Sequence, residues 1–165
     1  MTRDSIAAAL AAAEGQPGAA LAALGRLAQE ATGATLVTVM TSDPATGEAE
    51  RIWTNRPDAY PVSGRKPMNP TRWTATVLDR QETFVANTIG EIAEVFSDHP
   101  LILSLGCESV VNLPAVVAGE VLGTLNCLGP RGHFTPERLR AAEALRLPAA
   151  AVLLLHLHLT KGSTR

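Results

Sequence analysis

Residues 109–128, SVVNLPAVVAGEVLGTLNCL, give the clearest indication of the fold of this chain. It contains two runs rich in valine and leucine, 109–117 and 120–128, which are separated by the dipeptide Ala118-Gly119. Runs of this kind predict β-strands, and a two-residue connection that contains glycine predicts a tight hairpin. We therefore expect these residues to form two adjacent antiparallel strands.

The segments before this hairpin predict further strands and helices. A second hairpin is expected from the runs 35–41 and 48–54, because the stretch between them is dense in turn-forming residues. Apolar residues at helical spacing predict a broken N-terminal helix that Gly33 should end. Shorter elements are expected as a strand at 83–86 and as helical turns at 71–81, 89–96 and 99–106.

The segment after the hairpin predicts a long final helix, 135–159. Thr135 is a suitable N-cap, Pro136 fits the first helical position, and Pro148 should kink the helix. Helices at both ends of a chain that contains antiparallel hairpins indicate an α+β fold.

Length and composition narrow the class of protein. The chain has 165 residues, which suits one domain. Its net charge of −2 argues against general nucleic-acid binding, which needs a broad basic surface. No signal peptide is visible, and the apolar segment 147–159 has only 13 residues, too few to span a bilayer. The sequence therefore predicts a soluble cytoplasmic protein with no membrane contact.

The segment Trp53–Trp73 has an unusual composition for this chain. It contains both tryptophans, the one tyrosine and four of the 11 prolines, and several basic residues lie in or beside it. Aromatic rings form flat apolar walls with polar tips, and arginine and lysine recognise carboxylates and phosphates. A loop that needs side chains to hold it to a sheet would show the same residues, so both interpretations stay open.

The C-terminal half of the chain resembles the GAF domain family, and the order of the upstream elements extends the resemblance to about residues 19–155. The residues that carry it are Leu105-Gly106, Ser109, Pro114, Gly119, Val121-Leu122-Gly123 and the HFTPE motif, 133–137.

The resemblance implies a central antiparallel sheet with the terminal helices on one face. It also implies a ligand pocket on the other face, closed by a loop and short helices, and a homodimer formed through the terminal helices. The expected organisation is an N-terminal helical extension, 1–18, a GAF domain, 19–159, and a flexible tail, 160–165. GAF domains bind many small molecules, so the resemblance leaves the ligand and any cofactor unknown.

The pocket of such a fold would collect side chains from the aromatic segment and from the elements that follow it. Asn112 is singled out because a buried amide within an apolar strand needs a hydrogen-bond partner. The candidate ligand-binding residues are Trp53, Asn55, Tyr60, Arg65, Lys66, Trp73, Asn87, His99, Cys107 and Asn112.

The resemblance also allows the branches of the family to be compared. Bilin-binding members carry a Cys-His pair, but Asp98 stands before His99 in this chain. The branch of free methionine sulfoxide reductases uses thiols upstream of the hairpin and acidic residues on its last strand. Here Asn126 stands in the last-strand position, and Cys107 lies too close to the hairpin to match those thiols. The signature of the signalling type of cyclic-nucleotide GAF domains is not found.

Three functions remain after this comparison. The favoured one is a non-catalytic sensor for a small anionic or aromatic metabolite, because the sequence shows no catalytic residues and no metal-binding spacing. The alternatives are a GAF-type redox enzyme and a dimerisation module with a vestigial pocket.

Overall fold

The computed structural model describes residues 3–161, and its centre is a six-stranded antiparallel sheet in the order β3-β2-β1-β6-β5-β4. The strands are β1 (Leu36–Asp43), β2 (Glu48–Thr54), β3 (Lys66–Pro67), β4 (Phe84–Ala86), β5 (Ser109–Val117) and β6 (Glu120–Gly129). The helices are α1 (Arg3–Ala11), α2 (Gly18–Thr32), α3 (Arg72–Thr74), α4 (Ile89–Ala93), α5 (His99–Ser104), α6 (Pro136–Glu143) and α7 (Arg146–Lys161). The α+β class and the two predicted hairpins are confirmed.

The central hairpin β5–β6 forms as the sequence predicts. Its two turn residues, Ala118 and Gly119, have φ values of 51° and 79°, as a two-residue turn of the primed type requires. On the other side of β6, a Cβ atom built on Gly123 would lie 1.9 Å from the backbone oxygen of Met40. β6 can therefore approach β1 this closely only with a glycine at position 123.

One face of the sheet is covered by the terminal helices. Helix α2 ends at Gly33 in the left-handed conformation, as predicted. Side chains from α2 and α7, such as Leu24 and Val152, pack on inward residues of β1 and β5, such as Val37 and Val111. All four of these side chains are fully buried. The expected layer of terminal helices on one face is thus present.

A β-bulge in β2 changes which side chains face the helices. Val39 pairs with Trp53 and Met40 pairs with Arg51, so Ile52 is an extra residue. A bulge interrupts the strict alternation of side chains along a strand. As a result Trp53 joins the helix-side core, whereas Arg51 lies on the opposite face. Trp53, one of the candidate ligand-binding residues, therefore lies on the helix side of the sheet and not on the pocket face.

Two helical segments differ in detail from the sequence-based expectation. The helix expected at 71–81 has one α-helical turn, α3, and then continues as a π-helix, Ala75–Asp79. The final helix is interrupted at residues 144–145, before Pro148 rather than at it. A proline ring collides with the carbonyl four residues earlier, which is that of Ala144. Pro148 is then accommodated in the first turn of α7.

The C-terminal helical segment, Pro136–Lys161, is long and apolar enough to cross a membrane by length and composition alone. A core helix of a globular domain meets the same criterion, and Ala149 and Val152 of α7 are fully buried in the core under the sheet. Of the predicted tail, 160–165, residues 160 and 161 belong to α7, and residues 162–165 lie outside the described part of the chain.

Candidate functional site

The face of the sheet opposite the terminal helices carries a cavity of about 560 Å³. This volume lies within the range of ~300–1,000 Å³ typical of small-molecule sites. The loop between β2 and α3 and the segment between α4 and α5 enclose it above the strands. Residues that line the cavity include Met40, Arg51, Tyr60, Lys66, Trp73, Glu94, Phe96, Asp98, Asn112 and Asn126.

A buried row of polar side chains forms the floor of the cavity. The Trp73 indole donates from Nε1 to Asn112 Oδ1 at 2.9 Å, and Asn112 Nδ2 donates to Asn126 Oδ1 at 2.6 Å. Asn126 Nδ2 in turn donates to Thr38 Oγ1 at 3.1 Å. The row links α3 to three neighbouring strands, and it satisfies amides whose burial would otherwise be costly.

Position along the strands explains how this row arises. Asn112 pairs with Asn126, and Asn126 pairs with Thr38, so the three side chains stand beside one another across β5, β6 and β1. Residues directly opposite in antiparallel strands lie on the same face and within contact distance. Thr71 places Trp73 over this row, because its side chain caps α3 by accepting from the backbone of Trp73.

Tyr60 joins the two segments that enclose the cavity. Its hydroxyl donates to Asp98 Oδ2 at 2.5 Å, and the Arg51 guanidinium lies 3.7 Å from the centre of its ring. Burial, reinforced by the charge of Asp98, raises the pKa of the Tyr60 hydroxyl well above its usual value. The phenol therefore remains a proton donor to Asp98 at neutral pH.

The charged groups at the cavity are unequally paired. Glu94 forms an ion pair with Arg72 at 3.3 Å. Within residues 3–161, by contrast, no carboxylate forms an ion pair with Arg51 or Lys66. The Arg51 Nε atom is buried without a hydrogen-bond partner, although Nη1 donates to the Pro61 carbonyl at 2.8 Å. The cavity is thus lined by two cationic side chains, Arg51 and Lys66, that have no carboxylate partner among the described residues.

Four of the ten candidate residues from the sequence come together at this cavity. Tyr60, Trp73 and Asn112 are buried in its walls and floor, and Lys66 lies at it from β3 with an exposed side chain. This short strand was not expected from the sequence, and it pairs with the start of β2.

Three candidates from the second strand and the loop lie elsewhere. Trp53 packs against α2, where a Cβ atom on Gly25 would lie 2.0 Å from the indole. Asn55 accepts from the Val37 backbone and donates to the Thr35 carbonyl, so its amide joins the chain to β1. Arg65 is exposed and pairs with Glu50 at 3.8 Å. Trp53 and Asn55 thus stabilise the fold, and Arg65 faces solvent.

Three further candidates also lie away from the cavity. Asn87 bonds to both backbone groups of Phe134 and so connects β4 to the start of the last helical segment. His99 Nδ1 contacts the Phe96 carbonyl at 3.0 Å. Cys107 is fully buried in the apolar cluster on the cavity side of the sheet.

The sequence-based list missed several residues that line the cavity, among them Met40, Asp98 and Asn126. Met40 and Asn126 pair with Arg51 and Asn112 across the sheet. A correct register of the four long strands would have identified both. Asp98 carried no such signal, because it precedes a six-residue helix whose position only the folded chain defines.

The two thiols lie on opposite sides of the sheet. Cys127 belongs to the core under the helices, and Cys107 to the cluster on the cavity side. Burial raises the pKa of the Cys107 thiol to about 11 and also raises that of Cys127. Both thiols are therefore protonated near neutral pH, and the sheet separates them. Within residues 3–161, no group of three or more metal-ligating side chains is placed to hold a metal ion.

Comparison with known proteins agrees with the architecture. The sequence matches the family model of the GAF domain over residues 16–153, and this chain therefore belongs to the GAF domain family. No curated protein matches the sequence.

Solved structures with this fold have low sequence identity to the chain. The GAF domain of a phosphoenolpyruvate-protein phosphotransferase from Coxiella burnetii is 21% identical, with a TM-score of 0.73 over 97% of this chain and 94% of the other. The corresponding domain from Acinetobacter is 13% identical, with a TM-score of 0.72 over 96% and 94%. Free methionine-R-sulfoxide reductase from Neisseria meningitidis is 16% identical, with a TM-score of 0.60 over 84% and 80%. At these identities the similarity concerns the fold alone.

Proposed function

We propose that this chain is a non-catalytic sensor domain that binds a small organic acid in the cavity above the sheet. The observation that carries the proposal is that Arg51 and Lys66 both line the cavity and that neither forms an ion pair with a carboxylate of the described residues. A guanidinium or ammonium group at a partly enclosed site gains from a charge-assisted hydrogen bond. A carboxylate of the ligand fits both groups and would supply that bond.

The walls of the cavity favour a ligand with a flat or apolar body. Trp73 and Phe96 meet edge to face, with ring centres 6.2 Å apart, and Met40 contributes a flexible thioether side chain from β1. Apolar walls with a few well-placed polar groups are typical of metabolite sites. The amides of Asn112 and Asn126 then supply hydrogen bonds to polar atoms on that body.

The alternative of a GAF-type redox enzyme has less support. Thiol exchange needs an accessible thiolate and a second thiol within reach. Cys107 and Cys127 are both buried, both have raised pKa values and lie in separate cores.

The proposal is tested by thermal unfolding of the protein with a panel of small carboxylates and heterocyclic acids. We expect at least one acid to raise the Tm of the wild type, because a ligand that binds only the folded state stabilises it. Arg51→Met and Lys66→Met should each weaken that response by roughly tenfold in ligand concentration, since each removes a charge-assisted contact.

Arg65→Met is the matched control for Lys66→Met. The two residues are neighbours in sequence and both are exposed, but Arg65 does not line the cavity. The control should respond to ligand as the wild type does. A panel without any stabilising acid, or an equal loss in all three variants, would refute the proposed site.

We also propose that the protein is cytoplasmic and forms a homodimer through its terminal helices. An apolar groove runs between these helices, and Leu147 at its edge is 78% exposed. Exposed apolar surface of this kind usually marks an interface. Residues that line the groove include Ile6, Leu10, Leu27, Ala144, Leu147 and Ala151.

Sedimentation velocity at micromolar concentration tests the dimer. The wild type should sediment as a dimer, and Leu147→Glu should sediment as a monomer because it places a charge in the groove. Val62→Glu is the control, since Val62 is also exposed but lies in the loop on the other face of the sheet. A monomeric wild type would exclude this dimer.

A further inference from the structure

We infer that the ligand is a zwitterion, with a cationic nitrogen beside its acid group, and that Asp98 binds the cation. This inference rests on the proposed function, because it concerns the same cavity. It adds a second charge to the ligand and assigns the residue that recognises it.

Charged groups of both signs line the cavity. Arg51 and Lys66 are positive, and Asp98 and Glu94 are negative, although Glu94 is paired with Arg72. A site for a phosphate or a dicarboxylate would be expected to exclude carboxylates, because like charges repel strongly where water is displaced. A carboxylate beside unpaired cations instead suits a ligand that carries both signs.

Of the two carboxylates, Asp98 is the one with spare capacity. Glu94 is exposed and is already paired with Arg72. Asp98 is half-buried, and its Oδ2 atom accepts from Tyr60. Among the described residues its Oδ1 atom has no hydrogen-bond partner, and no cationic side chain forms an ion pair with it. A half-buried carboxylate in this position can accept from an ammonium group of the ligand.

Tyr60 sets the spacing between the two opposite charges. The Arg51 guanidinium lies over the ring, and Asp98 lies at the hydroxyl end of the same ring. The guanidinium and the carboxylate are thus held on one rigid side chain but do not form an ion pair with each other. One small molecule with an acid and an amine can contact both groups. An acid without an amine can form a favourable contact with the guanidinium only.

The test uses matched probes that differ only in the amine. The proteinogenic L-amino acids are titrated by calorimetry and compared with the carboxylic acids of the same carbon skeleton that lack the amine. We expect at least one amino acid to bind the wild type, and its deaminated counterpart to bind at least about tenfold more weakly, because a charge-assisted contact is lost.

Two variants separate the charge of Asp98 from its hydrogen bond to Tyr60. Asp98→Asn keeps an acceptor for the tyrosine hydroxyl but removes the charge, so the preference for the amino acid should fall to about twofold or less. Tyr60→Phe removes the hydrogen bond but keeps the charge, and most of the preference should remain. Circular dichroism shows whether each variant is folded.

The outcomes distinguish the two proposals. If the deaminated acid binds as tightly as the amino acid, or if Asp98→Asn keeps the full preference, the zwitterion is excluded while the proposed acid site stands. If no amino acid binds but other carboxylates do, the zwitterion is again excluded. If Arg51→Met has no effect on any bound acid, the proposed function itself is refuted.

Discussion

The two faces of the sheet are built from the same strands but carry different side chains. On the face under the helices, Val37, Val111 and Leu113 are fully buried in an aliphatic core. On the other face, the alternate residues Thr38, Asn112 and Asn126 are also buried, but they are polar and bonded to one another. Both faces are stabilised by the burial of apolar area, and the second depends in addition on a buried row of satisfied hydrogen bonds.

The two faces also differ in how fully the space beside them is filled, and this bears on the proposed ligand site. Aliphatic side chains from α2 and α7 fill the space under the sheet. Above it, the longer loops leave a cavity of about 560 Å³ beside polar groups. A fold that needed only stability would fill both faces with apolar side chains. The polar row therefore supports our proposal of a ligand site on this face.

The largest effect should come from the packed face. Gly25→Ala would place a methyl group 2.0 Å from the Trp53 ring, so the helix and the ring would have to move apart. We expect the free energy of unfolding to fall by about 3 kcal/mol, as for severe overpacking of a core. Urea denaturation measures the change.

Gly18→Ala is the control for this prediction, because Gly18 lies in the same helix and a Cβ atom there has no neighbour within 4 Å. That variant should be as stable as the wild type or slightly more so, since alanine favours a helix. Equal stability of the two variants would show that Trp53 does not occupy the space over Gly25.

A smaller loss is expected on the polar face. Asn112→Leu leaves the Trp73 indole and the Asn126 amide without their buried partners. The free energy of unfolding should fall by about 2 kcal/mol, the usual cost of unsatisfied buried groups. Trp73→Phe in the same background should cost less than it does in the wild type, because the two effects are coupled through one bond. If the losses of free energy of unfolding in the two single variants added up strictly in the double variant, Trp73 and Asn112 would not belong to one row of hydrogen bonds.

The reaction rates of the two thiols with a disulfide reagent test how well each face of the sheet is packed. Because burial raises both pKa values, neither thiol should react quickly with a disulfide reagent at pH 8 in the native protein. In low urea, Cys107 should react before Cys127, since it lies on the less filled side of the sheet. Rapid labelling of native Cys107 would instead favour the redox alternative.

The raised pKa of the Cys107 thiol makes the stability of the folded protein depend on pH. A raised folded-state pKa means that the folded protein holds the thiol proton more tightly than the unfolded chain. The contribution of Cys107 is fully present below its ordinary pKa of 9.0 and is lost as pH rises towards about 11. Cys107→Ser should flatten the fall of stability across this alkaline range, measured by urea denaturation at several pH values.

The smallest effect on stability is expected at Lys66. Its side chain is exposed and forms no ion pair with the described carboxylates. Lys66→Met should change the free energy of unfolding by less than about 0.5 kcal/mol, although we expect it to weaken acid binding. A large loss of stability would mean that Lys66 supports the fold and not the ligand.

The sequence predicted those features that depend on local chemistry. The hairpin at Ala118-Gly119, the end of α2 at Gly33 and the cap at Thr135 each follow from neighbouring residues, and the structure has all three. The site was predicted less well, because it depends on register. A single extra residue, Ile52, moves Trp53 from the expected pocket face to the helix side.

The α+β architecture follows from the amino-acid sequence alone, because hydrophobic periodicity and turn residues act over a few neighbouring positions. The pairing of the polar groups depends on the folded chain. Trp73 and Asn112 are 39 residues apart, and Tyr60 and Asp98 are 38 apart. No local pattern encodes such pairs, because they form only when strand register and loop closure bring distant segments together.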